Sequence, residues 1–420
     1  MVTAETLPSG LRLVTESMPH VRSVTVGVWL TRGSRHEADA ESGVAHFVEH
    51  MLFKGTTSRS ARDIAQTVDS IGGQIDAFTA KEYAGYFIRV LDEHLPVAVE
   101  LLGDMIQRPA LAPGDVEREQ SVILEEIKMV EDAPDDLVHE VFAQQFWSAH
   151  PLGRPILGTP ATVGSFAADG LREYFMRTYV APNLMIVAAG NLEHAHLAAL
   201  VEQAFAGLPE APAPPPVDPP VVTPGIVQRR KEIEQSHICV GTPAYPLAHA
   251  DRHATYVLNT ILGGSMSSRL FQHIREDRGL AYAVFSNMTA YSDAGMFAIY
   301  AGCATDKVSE VIGLTLAELR TLRQSAVPAE ELSRAKEYLK GSLMLGLEHT
   351  SNRMSNLARQ HIYFGRHFTM DEMLAEIGRV TADDVQRVAG ELFRDGAVVA
   401  SVVGPDDGAR VSREDLGLSA

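Results

Sequence analysis

Two stretches of this 420-residue chain repeat one another at a constant offset of 214 residues. Asp169-Gly-Leu-Arg-Glu-Tyr-Phe175, leading to Leu184-Met-Ile-Val-Ala-Ala-Gly190, is matched by Asp383-Asp-Val-Gln-Arg-Val-Ala389, leading to Val398-Val-Ala-Ser-Val-Val-Gly404. Each copy predicts a helix, then a strand of small and branched apolar residues, then a turn glycine. The same offset pairs Gly27 with Gly241 after similar strand patterns. Between the copies, residues 211–224 hold so many prolines that neither a helix nor a central strand can form, and the segment reads as a semi-rigid linker. The expected organisation is an N-terminal domain over 1–210, the linker, and a related C-terminal domain over 225–420. That division suits a length that provides for two or three cores.

Within the first half, Ser42-Gly-Val-Ala-His46-Phe-Val-Glu49-His50-Met-Leu-Phe-Lys-Gly55 has helical apolar spacing through Val44, Phe47, Val48, Met51 and Leu52, with polar residues before it and a glycine stop after. On a helix, His46 and His50 lie one turn apart and converge on one ion, while Glu49 borders the same face. The string H-x-x-E-H is the inverted zincin motif. Two imidazoles and one carboxylate leave a tetrahedral zinc ion one open position, and an uncoordinated glutamate beside it is placed to take a proton from water. The 214-residue offset sets Thr260, Gly263 and Gly264 opposite His46, Glu49 and His50, so zinc chemistry is expected only in the first half.

The third ligand is sought in a helical pattern between Gly114 and Pro134. Glu125 shares its face with Arg118, Ser121, Lys128 and Asp132, a solvated surface. Glu126 has Val122 and Ile123 one turn before it and Met129 and Val130 one turn after. A carboxylate in an apolar stripe is costly unless paired or bound to metal, which selects Glu126. Glu119, two turns earlier on the same face, is either a group that orients a ligand or a helix N-terminal acid favoured by the dipole.

With these segments in place, the chain resembles the pitrilysin/insulinase family of zinc metallopeptidases, which includes the mitochondrial processing peptidases. G-V-A-H-F-V-E-H-M-L-F-K-G-T, with E-R-E-Q-S-V-I-L-E-E-I downstream, is similar to that family's active-site signature in sequence and spacing. The resemblance implies one Zn²⁺ per chain held by His46, His50 and Glu126, with Glu49 as general base and Glu119 supporting the site. It implies that each half is an α/β roll, helices packed on a mostly antiparallel sheet, and that peptide bonds are hydrolysed inside a clam-like chamber. It also implies that the strand after Gly72-Gly73, with Ala77, Phe78 and Thr79, lies at a sheet edge and pairs with the substrate backbone. Asp76 stands where relatives usually carry Asn; from the residues alone the segment is equally an ordinary amphipathic strand. In the second half, Arg275 and Tyr282 resemble the family's substrate-binding pair, Arg275 for a substrate carbonyl and Tyr282 for the oxyanion or the peptide beyond the scissile bond.

Composition narrows the partners. A net charge of −18 without a basic cluster argues against nucleic acid or an anionic membrane. There is no long apolar run and no signal-peptide pattern at the start, and the two cysteines, Cys239 and Cys303, fall in separate strand-like segments. A cytoplasmic protein in a reducing compartment is expected. Family members often enclose the peptide with four such domains, so a chain with two is expected to form a homodimer, or a heterodimer with a zinc-less relative. The alternative function is a non-catalytic structural subunit of the same fold, of the kind found in respiratory complexes; such relatives typically lose motif residues that this chain keeps.

Overall fold

The computed structural model describes residues 1–209, 217–405, 411–412 and 416–417, so residues 211–216 of the proline-rich segment lie outside the described residues. Six strands form the first sheet: β1 (Val2–Thr6), β2 (Arg12–Ser17), β3 (Ser23–Leu30), β4 (Gln74–Thr79), β5 (Ala84–Leu91) and β6 (Leu184–Gly190), in the order β1-β2-β6-β3-β5-β4. Five form the second: β7 (Gly225–Arg230), β8 (Ser236–Ala244), β9 (Ala281–Ala290), β10 (Gly295–Cys303) and β11 (Val399–Gly404), in the order β7-β11-β8-β10-β9. β2–β6 and β7–β11 are the parallel pairs, and the remaining pairs are antiparallel. From β2 onward the first sheet has the order that the second repeats. The fold is α+β, two α/β rolls of helices on mostly antiparallel sheets.

The central strands explain what must cover them. In β3, Val24, Val26, Val28 and Leu30 face one core, while Thr25, Gly27 and Trp29 alternate onto the opposite face. A sheet apolar on both faces needs helices on both. The first compact unit comprises Met1–Lys128, Arg154–Val217 and Gly346–His367; the second comprises Met129–Gly153, Asp218–Leu345 and Phe368–Ala420. One face of the first sheet is covered by helices Val44–Leu52, Leu95–Gln107 and Ala168–Thr178. Its other face takes the helix Thr350–Phe364, from the C-terminal half of the sequence, through Met354, Leu357 and Ala358. The second sheet carries Arg252–Leu262, Val308–Gln324 and Ala382–Leu392 on one side. Its other side takes Pro134–Phe146, from the N-terminal half, through Val138, Val141 and Phe142. The compact units are therefore not the two stretches flanking the prolines, because each unit contains one helix encoded in the opposite half.

The paired glycines make room for these two helices. A Cβ on Gly27 would meet Met354 Sδ at 2.9 Å, and one on Gly241 would meet Phe142 Cζ at 2.8 Å and the Phe297 carbonyl oxygen at 2.3 Å. Among the described residues, no helix is long and apolar enough to cross a membrane. Because a backbone oxygen cannot swing aside as a methionine tip can, Gly241→Ala is expected to destabilise the protein by about 1–3 kcal/mol, and Gly27→Ala by less. The midpoints of urea unfolding of the two variants measure the difference.

Candidate metal centre

The helix Val44–Leu52 begins at Gly43, whose φ of 95° lies in the left-handed region that favours glycine. Its start has no side-chain cap of its own; the carboxylate of buried Glu37 accepts hydrogen bonds from the N–H of Gly43 at 2.9 Å and of Ala45 at 2.8 Å. Burial pushes the Glu37 carboxyl up to about 7, against the pull of these two bonds and of the Arg154 and Lys81 charges. Val44, Ala45, Phe47, Val48, Met51 and Leu52 enter the core, which leaves His46, Glu49 and His50 along the half-buried rim, as the helical spacing predicts.

Glu126 meets them from the helix Pro113–Asp132. His46 Nε2 and His50 Nε2 are 3.2 Å apart, and Glu126 Oε2 is 3.7 Å from the first and 3.6 Å from the second. Atoms bonded tetrahedrally to zinc at about 2.0–2.2 Å stand roughly 3.3–3.6 Å from one another, so the donor set fits that ion. Among the described residues this is the one group of His, Cys, Asp or Glu side chains gathered closely enough to hold a metal. Burial, then the neighbouring His50, lowers the His46 pKa to about 3, which keeps its ring neutral and able to ligate.

Glu119 is buried and lies behind the donors. Its Oε1 is 2.9 Å from His50 Nδ1 and its Oε2 is 2.7 Å from Lys54 Nζ. A carboxylate only accepts there, so His50 Nδ1 carries the proton and its Nε2 lone pair turns toward His46 and Glu126. This contact favours the orienting reading of Glu119 over the helix-terminus reading. Glu125, by contrast, is exposed and pairs with Lys128 at 2.7 Å. The apolar stripe expected around Glu126 needs correction: Ile123 is buried, but Val122 and Met129 are exposed. Glu126 therefore sits on a partly open helix face.

Glu49 reaches outward from the histidine helix to the end of β4, where Thr79 Oγ1 donates to its Oε2 at 2.5 Å. Burial raises the Glu49 pKa, opposed by the Thr79 hydrogen bond and by His50 and reinforced by Asp76 and Glu126. Among the described strands β4 is an edge, paired only with β5, with Ala77 opposite Tyr86, Phe78 opposite Gly85 and Thr79 opposite Ala84. Its side chains are engaged from within. Phe78 packs edge-on against Trp29 and Tyr83, and Asp76 Oδ1 accepts from the Ala77 N–H at 2.8 Å. Arg275 and Tyr282 belong to the second unit and meet each other: the guanidinium lies 4.8 Å from the Tyr282 ring and 4.7 Å from that of Phe271, after which the chain turns at Gly279 into β9. The Glu37 cap and the Thr79–Glu49 contact have no local signal in the sequence, since Glu37 reaches backbone groups six and eight residues on and Thr79 lies 30 residues from Glu49.

Residues 12–160 match the family described as Insulinase (Peptidase family M16), and residues 165–339 match the Peptidase M16 inactive domain. The zinc protease YmxG of Bacillus subtilis, named as uncharacterized, is 40% identical over 96% of this chain and 98% of its own length. A similarly named zinc protease of Streptomyces coelicolor is 42% identical over 98% and 91%. The chain belongs to the M16 peptidase family. A protease from Helicobacter pylori superimposes on this M16 chain with a TM-score of 0.90 at 22% identity, covering 96% of this chain and 99% of that one. A Pseudomonas fluorescens protein described as a peptidase M16 inactive domain gives 0.91 at 20% identity, covering 98% and 100%. These two show the M16 fold.

If Glu119 orients His50, Glu119→Gln is expected to weaken zinc binding by roughly 10–100-fold while the fold is retained. Competition of the purified variant against a zinc-chelating dye measures that loss.

Proposed function

We propose that this protein is a zinc-dependent endopeptidase acting on peptides or short unfolded polypeptides. The observation that carries the reading is Glu49, an uncoordinated carboxylate of raised pKa held by Thr79 beside a three-donor cluster with tetrahedral spacing. His46, His50 and Glu126 would hold the ion, and Glu119 with Lys54 would fix the orientation of His50. Zinc bound there would supply Lewis acidity, acidifying water and polarising the scissile carbonyl. Glu49 would take the proton from the attacking water and return it to the leaving amine; its burial makes it a stronger base than an exposed carboxylate. The free side of β4 is available for main-chain pairing with an extended peptide, a mode that reads backbone and tolerates varied side chains. The substrate role of Ala77, Phe78 and Thr79 is then chiefly a backbone one, since Phe78 is occupied in the aromatic cluster. Arg275 and Tyr282 complete the proposal as the substrate-binding pair, Tyr282 being 79% exposed and so open to contact.

A cytoplasmic setting accords with two buried free cysteines, and a homodimer with a chain that supplies two rolls where the family chamber uses four. The test is cleavage of a mixed peptide library, read by mass spectrometry, with the wild type and Glu49→Gln, each with and without chelator. Glu49→Gln should bind zinc and lose roughly 10²–10⁴-fold in rate, the size of a general-base contribution. A zinc-loaded wild type that cleaves nothing in the library would point instead to a non-catalytic subunit of the same fold.

A further inference from the structure

The segment Gly33–Glu37, between β3 and the histidine helix, is bonded at one end to the turn after β4 and at the other to the start of that helix. Ser34 and Arg35 donate their N–H groups to the carbonyls of Ala80 at 3.1 Å and Lys81 at 2.8 Å. A Cβ on Gly33 would stand 2.2 Å from the Ala80 oxygen, so the two backbones are in direct contact. Arg35 and Glu82, both buried, form an ion pair at 2.5 Å. Two residues on, the buried Glu37 places one carboxylate oxygen on Gly43 N and the other on Ala45 N, immediately before His46. Arg154 holds this end in turn, with Nη2 donating to the Glu37 carbonyl at 2.6 Å and Nη1 to Asp39 at 2.6 Å, while Lys81 Nζ donates to the Arg154 carbonyl.

Desolvating a carboxylate is costly, and a serine or aspartate at the N-cap position would satisfy a helix start more simply. That solution is closed here. Gly43 is left-handed, and any Cβ on it would meet the Leu157 carbonyl oxygen at 2.7 Å. The cap must come from elsewhere in the chain, and Glu37 supplies both acceptors from six residues upstream. We propose that Glu37 is a positioning residue of the metal centre: by fixing the first turn of the histidine helix against the Gly33–Glu37 segment, it sets the convergence of His46 and His50. A glutamine cannot replace it, because one end of its amide is a donor and would face a backbone N–H.

The affinity arm of the test stands on the donor cluster alone, and its kinetic arm rests on the peptidase reading, so the two can fail separately. Zinc affinity of the full chain would be measured by chelator competition for the wild type, Glu37→Gln, Arg154→Met and Thr25→Val. Thr25 hydrogen-bonds Thr350 in the interior at 2.8 Å and makes no hydrogen bond to the centre, so its variant reports loss of stability alone. The expected result is a loss of about 10-fold or more for Glu37→Gln, as for removal of an outer-shell partner, and a smaller loss in the same direction for Arg154→Met. Thr25→Val should bind zinc as the wild type does. At saturating zinc, Glu37→Gln should lower kcat with KM little changed. Arg154→Met carries the test should Glu37→Gln fail to fold. Zinc affinity within about twofold of the wild type for Glu37→Gln, or an equal loss in Thr25→Val, would overturn the proposal. A wild type that binds zinc but does not cleave would overturn the peptidase reading and leave the affinity result to judge Glu37.

Discussion

Three lone-pair donors within 3.7 Å of one another are mutually repulsive, and the surrounding structure must hold them there. The apolar side of the histidine helix provides most of that constraint. Six of its nine residues are buried in the core of the first unit, so the helix can neither rotate nor slide without opening that packing. The remaining freedom lies at its two ends and in the rings. The Glu37 carboxylate accepts from the N–H groups at the helix start, Glu119 Oε1 meets His50 Nδ1, and Lys54, from the turn after the helix, pairs with the other oxygen of Glu119. Burial also favours neutral imidazole at His46, the state that a cation requires.

The same core depends on covering both faces of each sheet. β3 and β8 alternate between two apolar environments, and the second environment is completed in each unit by a helix from the distant half of the chain. The matching glycines, Gly27 and Gly241, lie where Met354 and Phe142 press onto the strand. A sheet left bare on that face would expose Trp29, Met185 and Val187 in one unit and Cys239, Val399 and Val403 in the other, which makes the helix exchange part of each unit's stability.

What could be read from the sequence followed from range. The H-x-x-E-H arrangement is local, because helical periodicity alone sets His46, Glu49 and His50 on one rim. The repeat at offset 214 was legible because both copies keep the same strand and turn chemistry, and strand order bears it out, β2-β6-β3-β5-β4 against β7-β11-β8-β10-β9. The preference for Glu126 over Glu125 agrees with the cluster geometry, although the stripe argument behind it does not hold at Val122 and Met129, which face solvent. Periodicity reports which residues share a face, and tertiary packing decides whether that face is covered. The exchanged helices, the Thr79 contact and the Glu37 cap were illegible for the same reason: amphipathicity says that a helix needs a partner surface, without saying which sheet provides it.

The divergence of the two copies lies in the backbone as much as in the side chains. Residues 260, 263 and 264 correspond to the two histidines and Glu49, yet restoring those side chains would not restore a donor cluster. A Cβ at Gly263 would stand 2.5 Å from the Ser286 nitrogen on β9, and one at Gly264 would stand 3.0 Å from Thr260 Cα. The end of the helix Arg252–Leu262 has closed onto the edge strand, with Ser286 N–H donating to the Gly263 carbonyl and Ser286 Oγ to Asn259. In this unit the helix Ala329–Gly346, which follows in chain order as Pro113–Asp132 does in the first, is tied down by Arg269 binding both oxygens of Glu331 at 2.9 and 2.8 Å. A bidentate ion pair needs no open coordination position and leaves no rim of unpaired donors. Two rolls of one topology thus solve the same joint between a short helix and a long one in different ways. In the first, the solution leaves three lone pairs facing one point; in the second, it leaves no such cluster among the described residues.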